Sequence, residues 1–242
     1  NENNSIYLSG YFGRDLFAIS DSFIAVYGNS VANFRWNHLF SDKLFSNLSV
    51  IYSDYYYGLE LDLVGFQWDS GIQNFNLKYD FKHYLSANTK LNYGVNNIYY
   101  RFNPGEIKPN REDSGIVKDK LTDKYANEFA AYIDVEQNVS TSFSIQYGMR
   151  WSRFDRLGQE VFYSYENNNP VAYDPAFDLY SEGTPNGQVQ QNRSSAIATF
   201  TNFEPRLGLS YILNDRTSIK ASYNHMAQYL HLLSNTSSAT PL

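Results

Sequence analysis

The sequence predicts an all-β fold, an antiparallel transmembrane β-barrel present as an incomplete fragment of about nine strands over residues 1–242. Three observations predict it. Apolar and polar residues alternate one by one over long stretches. Aromatic residues make up 17% of the chain, with 22 Tyr and 17 Phe. Short turns alternate with longer loops along the chain. A period of two puts one set of side chains on each face of a sheet, whereas a helix would smear both sets around its axis. Tyr, Phe, Ile, Val and Thr favour pleated surfaces, and Tyr and Trp sit well where apolar and wet regions meet.

The expected strands run over roughly 4–13, 23–40, 43–57, 71–85, 89–102, 125–138, 142–156, 200–213 and 216–230. In the second, Ala32, Phe34, Trp36 and Phe40 alternate with Asn33, Arg35 and Asn37. In the seventh, Phe143, Ile145, Tyr147, Met149 and Trp151 alternate with Ser144, Gln146, Gly148, Arg150 and Ser152. Phe203, Pro205, Leu207, Leu209 and Tyr211 oppose Glu204, Arg206, Gly208 and Ser210 in the eighth. In the last, Ile219, Ala221, Tyr223, Ala227 and Tyr229 share a face opposite Ser218, Lys220, Ser222, Asn224 and Gln228. Ser41-Asp42, Ser86-Ala87-Asn88, Ser140-Thr141 and Asn214-Asp215 read as tight hairpin turns, being rich in residues that bend the chain. Longer segments at 58–70, 103–124 and 157–199 lie between them, the last two punctuated by Pro and Gly. Short turns on one side and long loops on the other is the arrangement of outer-membrane barrels.

A soluble β-sandwich would show the same alternation with its faces exchanged. Soluble strands average about 5–6 residues, and several here exceed that more than twofold. Trp36 and Phe40 precede one tight turn and Tyr79, Phe81 and Tyr84 another, as a membrane girdle requires. Phe143 and Trp151 share a face and span roughly 21 Å at ~3.4 Å per residue and ~40° tilt, close to the apolar band of such barrels. The membrane barrel is therefore the better reading. On that reading Phe143, Ile145, Leu207, Leu209, Ile219 and Ala221 face lipid, and Arg150, Arg206 and Lys220 face inward.

Net charge is −6, the pI is about 5.2 and no basic block is present, which disfavours nucleic acid, since that partner needs clustered Lys and Arg. With no cysteine, neither a disulfide framework nor a Cys-ligated metal is expected. No apolar run approaches the roughly 18 residues of a transmembrane helix. The opening Asn1-Glu2-Asn3-Asn4 lacks the pattern of a signal peptide, so either one was removed or the chain starts in mid-protein. Nucleotide-binding, zinc-protease and nucleophile-elbow motifs are absent, and no enzyme activity or cofactor is expected. Among the histidines His38, His83, His225 and His231, the last two share a strand but lie ~20 Å apart at ~3.4 Å per residue, so no metal site is expected.

The stretch Phe203-Glu204-Pro205-Arg206-Leu207-Gly208-Leu209-Ser210-Tyr211, continuing through Asn214-Asp215 to Ser218-Ile219-Lys220-Ala221-Ser222-Tyr223, resembles the barrel of TonB-dependent outer-membrane receptors. So do Arg35-Trp36-Asn37-His38-Leu39-Phe40, Tyr125-Ala126-Asn127-Glu128-Phe129-Ala130-Ala131-Tyr132 and 228–235. The resemblance implies a barrel of about 22 strands around an N-terminal plug, so that plug and C-terminal strands are expected to be missing here. A small closed barrel of eight or ten strands is the alternative. The resemblance further implies outer-membrane lipid as the surroundings, contact with TonB through the plug, and, in some members, a surface lipoprotein lid.

Arg35, Glu128, Asp134, Glu136, Arg150, Glu204, Arg206 and Lys220 are the charges expected in the lumen, where some would brace a plug. Charges facing lipid would be costly, so their parity is itself a sign of an interior. The loop 157–199 carries Phe162, Tyr163, Tyr165, Tyr173, Phe177 and Tyr180 among amides, and such a surface suits sugars, peptides and chelates. Of these, Tyr163, Tyr165, Tyr173, Phe177 and Tyr180 are the candidate ligand-binding residues. Asp174, Asp178 and Glu182 could hold calcium, though their spacing fits no defined loop. The expected function is import of a scarce nutrient across the outer membrane. A passive porin, an outer-membrane hydrolase and a non-transporting barrel that anchors a surface or secretion complex are the alternatives.

Overall fold

The computed structural model describes residues 2–19, 22–158 and 160–230. Among these residues there are fourteen strands and no α-helix. Nine long strands form one antiparallel sheet. In order across it they are β1 (Asn4–Ile19), β2 (Phe23–Ser41), β3 (Leu44–Leu61), β4 (Phe66–Tyr84), β5 (Thr89–Pro109), β7 (Lys124–Asn138), β8 (Phe143–Leu157), β13 (Ala196–Asn214) and β14 (Thr217–Asn224). The short β6 (Asp119–Lys120) pairs with β5. Each long strand pairs with its sequence neighbour, and β13 pairs with β8 although four small strands intervene. Among the described residues β1 and β14 do not pair with each other, so the sheet is open.

The register makes two faces. Partners across the sheet point the same way, so Arg35 and Ser49, Asp134 and Asn92, Tyr132 and Arg150, and Arg150 and Glu204 share a polar face. The opposite face carries Phe75 and Leu77 on β4, Val95 on β5, Ile133 on β7, Met149 on β8, and Phe203, Leu207 and Leu209 on β13. Burial is inverted relative to a soluble protein: Ile133 is 50% and Phe203 65% exposed, while Glu204 is 4% and Ser152 1% exposed. Water does not suit such an apolar surface, and hydrocarbon does.

Aromatic rings mark both edges of the apolar band. On the turn side Tyr79 and Phe81 lie 4.4 Å apart, Phe81 stacks on Tyr93 at 5.0 Å, and Phe40 sits 6.4 Å from Phe81. On the loop side Tyr99 approaches Tyr125 at 6.2 Å and Phe129 meets Trp151 at 6.0 Å. Tyr84, expected in the girdle, instead lies on the polar face against Phe45. Its odd separation from Tyr79 and Phe81 forces this, because adjacent parities point to opposite faces. His38 packs within the turn-side belt at 4.4 Å from Phe40, and its Nδ1 lies 2.8 Å from the Asn4 side-chain oxygen.

Three expectations about the connections are corrected. The segment 58–70 is mostly strand, and only Asp62–Gly65 connects β3 to β4. A 3-10 turn over Asp62–Val64 is closed by Gly65, whose φ of 68° is a left-handed conformation that a side chain would strain. The segment 157–199 is not irregular: it holds β9 (Glu160–Ser164), β10 (Val171–Asp174), β11 (Leu179–Glu182) and β12 (Gly187–Gln191), paired as β9–β12 and β10–β11. Proline and glycine there separate short strands rather than prevent them. The last strand stops at Asn224, and the chain then turns over the polar face, so Tyr229 is not on the apolar face with Ile219. His231 and the rest of the 228–235 stretch beyond Leu230 lie outside the described residues.

Candidate functional site

The structure gathers several of the candidate lumen residues around Arg150, at the centre of β8. Its guanidinium lies 3.7 Å from Glu128 on β7 and 3.7 Å from Glu204 on β13. One cation thus faces a carboxylate on either side: Glu204 is its direct partner in the ladder, whereas Glu128, opposite Phe154, is met further along β7. Glu204 also accepts a 2.6 Å hydrogen bond from the Ser152 hydroxyl. Removing the central cation would leave two carboxylates largely withdrawn from water, which costs about 3–5 kcal/mol in comparable buried pairs.

One step toward the turns, Arg206 on β13 lies 3.9 Å from Asp134 on β7, reaching across β8. The residue between them is Gly148, and the Asp134 carboxylate occupies the space a Cβ there would take. Glycine at 148 is therefore what lets the acid lie flat across the intervening strand. Further along, the Tyr132 hydroxyl donates to Asp80 at 2.6 Å, and Lys78 pairs with the same carboxylate at 2.9 Å. Asn92 donates to Glu136 at 2.9 Å, and Lys90 is its ion-pair partner. Arg35 stands apart on β2, opposite Ser49, and Lys220 stands opposite Ser210 on β14.

Tyr229 is a member of this site that alternation could not locate. Its hydroxyl meets the Ser152 hydroxyl at 2.8 Å and accepts from the Asn202 amide at 2.9 Å, and its ring stacks on Phe154 at 5.3 Å. Five aromatic residues in the 157–199 segment sit differently. Tyr173 and Tyr180 are directly opposite each other on β10 and β11, with rings 4.8 Å apart. Tyr163 lies on the other small sheet, opposite Gln188, and Tyr165 precedes the 3-10 turn over Glu166–Asn168. Phe177 is 79% exposed at the β10–β11 tip. The structure brings together one pair of the five. Of the acids considered for calcium, Asp174 accepts the Ala176 amide at 2.8 Å and Asp178 the Tyr173 hydroxyl at 2.9 Å, so both shape the hairpin.

The family model for outer membrane beta barrel domains matches residues 110–241. No curated protein matches the chain. Among solved structures, the FrpB iron transporter from Neisseria meningitidis superposes with a TM-score of 0.57 at 14% identity, over 93% of this chain and 34% of that one. BauA, the ferric preacinetobactin receptor from Acinetobacter baumannii, gives 0.58 at 11% identity, over 92% and 37%. The ferric-catecholate import receptor Fiu from E. coli gives 0.53 at 12% identity, over 84% and 36%. At such identities the likeness is one of fold. The chain spans about a third of the length of these structures.

Proposed function

The chain belongs to the outer membrane beta barrel domain family and lies in the bacterial outer membrane, and from that premise we propose that it is part of the wall of a TonB-dependent receptor that imports a scarce nutrient. The polar face then lines the lumen. The observation that carries the reading is the buried network on that face, where Arg150 links carboxylates from two neighbouring strands. A polar, ion-paired inner face is the interior of an outer-membrane barrel, and the likeness to receptor barrels is what favours a plugged lumen over an open pore. The open sheet of nine strands supports a wall continued by further strands, because unpaired backbone edges do not stand in lipid. A plug, outside residues 1–242, is the element that would meet TonB. The three similar structures are named for iron or ferric ligands, so ferric chelates are the first cargo to test.

Recognition is assigned to the 157–199 segment, chiefly Tyr163, Tyr165, Tyr173, Phe177 and Tyr180. Long connections on the side opposite the tight turns face the cell exterior. The test is uptake and binding of a panel of ferric chelates by whole cells carrying the complete receptor, with surface receptor quantified in parallel. Replacing 160–195 by a short Gly/Ser turn should leave receptor at the surface and reduce binding per receptor at least tenfold. Undiminished binding would move recognition elsewhere. If intact cells import no member of the panel in an energy-dependent way, the cargo class is wrong.

A further inference from the structure

Most cations of the sheet are already matched by a carboxylate. On the polar face Lys78 pairs with Asp80, Lys90 with Glu136, Arg150 with Glu128 and Glu204, and Arg206 with Asp134. On the outer face, a bulge at Pro104-Gly105 re-aims the end of β5. Beyond it Lys108, Lys118 and Lys120 pair with Asp69, Glu106 and Asp123. Burial there works against ionisation of Glu106, but the Lys118 hydrogen bond and the charges of Lys108, Lys118 and Lys120 outweigh it and hold its carboxyl below the ordinary range. Among the described residues, the inward cations without an ion pair are Arg35 on β2, Lys82 on β4 and Lys220 on β14. Lys82 and Lys220 still share their surroundings with Asp80, Asp134 and Glu136. Arg35 does not.

The inner face around Arg35 is neutral. Over Ser5–Gly13 of β1, Asn29–Leu39 of β2 and Phe45–Tyr57 of β3, its inward positions are mostly Ser, Asn and Tyr, and Arg35 is their single charge. Its direct neighbours in the ladder are Tyr7 and Ser49. Toward the loops the neutral strip ends at Tyr11, Tyr27, Tyr55 and Tyr57. Toward the turns it opens into a recess of about 730 Å³ lined by Asn37, Leu39, Phe45, Lys82 and Tyr84.

The wall of β7, β8 and β13 is built differently. Asp134 fills the space above Gly148, Arg206 reaches across β8 to meet it, and Arg150 spans Glu128 and Glu204. Long side chains lie flat there with their charges spent on one another. Short Ser and Asn side chains on β1–β3 leave room instead, and Arg35 keeps its donors free. A guanidinium has five donors and no acceptor, in a fork that fits a carboxylate or phosphate. In a narrow lumen with low-dielectric walls, one unmatched charge acts over more distance than it would in water.

We propose that the cargo path is one-sided. A solute bearing carboxylate or phosphate groups passes along the inner face of β1, β2 and β3, touches Arg35 between the tyrosines and the recess, and leaves by the recess. The ion-paired face of β7, β8 and β13 stays closed to it. The inference rests on import through a plugged lumen.

The sequence contains no cysteine, so single thiols can report on each wall of the complete protein in lipid nanodiscs, without cargo or energy. Ser49→Cys and Asn37→Cys probe the neutral side. Gln146→Cys and Ser210→Cys probe the paired side, and Asn37 and Ser210 each lie four residues from the turn end of their strand. The probes are two small methanethiosulfonates, one carrying a sulfonate and one a trimethylammonium group. The sulfonate should react at least tenfold faster at 49 and 37 than at 146 and 210. Arg35→Gln should lower the sulfonate-to-ammonium rate ratio at 49 at least fivefold, while Arg35→Lys, which keeps the charge, should hold it within twofold. Fast reaction at all four positions would mean an open lumen and would overturn both this inference and the plug. Slow reaction at all four, or faster reaction at 146 and 210, would overturn this inference alone. A ratio left unchanged by Arg35→Gln would also overturn it, by removing Arg35 from the path.

Discussion

The β3–β4–β5 part of the wall reverses its polarity between its turn end and its loop end. Toward the turns, β4 presents Phe75, Leu77, Tyr79 and Phe81 outward and Asn76, Lys78, Asp80 and Lys82 inward. Toward the loops, the same strand presents Gln67 and Asp69 outward and buries Trp68 inward against Leu59 and Ala25. Neither end changes secondary structure; only the solvent outside changes. The strand reads hydrocarbon outside at one end and water outside at the other, and its side chains answer accordingly. The reversal locates the membrane boundary from the protein alone, near Gln73 and Arg101. It also separates two kinds of stability, one from packing on the inner face and one from lipid on the outer.

Changes at each end should therefore fail for different reasons. The largest loss is expected for Trp68→Ala, about 3–5 kcal/mol, because a buried indole leaves a cavity at the loop-end core. A urea titration of the complete barrel refolded in lipid vesicles would measure it, and a loss below about 1 kcal/mol would deny that this end has a packed core. Leu209→Arg should cost about 2–4 kcal/mol if its position is near the bilayer midplane. The same substitution measured in detergent micelles should cost less, since detergent adapts around a charge more readily than a bilayer. A negligible loss in vesicles would put Leu209 in water. Acidification should have the smallest effect. The Glu106 carboxyl is held below its ordinary range, so its stabilising contribution is present above the ordinary carboxylate range and fades as pH falls through the lowered one. Glu106→Gln should flatten that acid limb of a melting curve in the loop-end segment, and an unchanged limb would remove Glu106 from the account.

The nine wall strands were legible because period two survives wherever one face meets lipid. Arg150, Glu204 and Glu128 were assigned to a common face from parity, and the register puts them there. The pairing between them was not legible, since it depends on which strands neighbour each other. Beyond the membrane the signal fades. Residues 58–61 and 66–70 read as loop because Gly58, Gly65 and mixed aromatics interrupt the alternation, yet they pair along their full length. The bulge at Pro104-Gly105 shifts the phase within one strand, which a fixed period treats as an ending. Tyr229 continued the alternation of its strand on paper but leaves the sheet, and nothing local in Gln228-Tyr229-Leu230 reports the Ser152 and Asn202 partners far away in sequence.

The polarity reversal along β4 is tested most directly by a nitroxide scan. The sequence contains no cysteine, so single Cys residues can be placed one at a time over 66–82 of the complete protein in bilayers. Collision with oxygen, which concentrates in lipid, is compared with collision with a water-soluble nickel chelate. Oxygen accessibility should peak at 75, 77, 79 and 81, and drop at 76, 78 and 80. At 67 and 69 the outward positions should switch to the nickel chelate, and 68 should be shielded from both. Uniform access to nickel at 75–81, or oxygen peaks that persist through 67 and 69, would contradict a membrane boundary at Gln73.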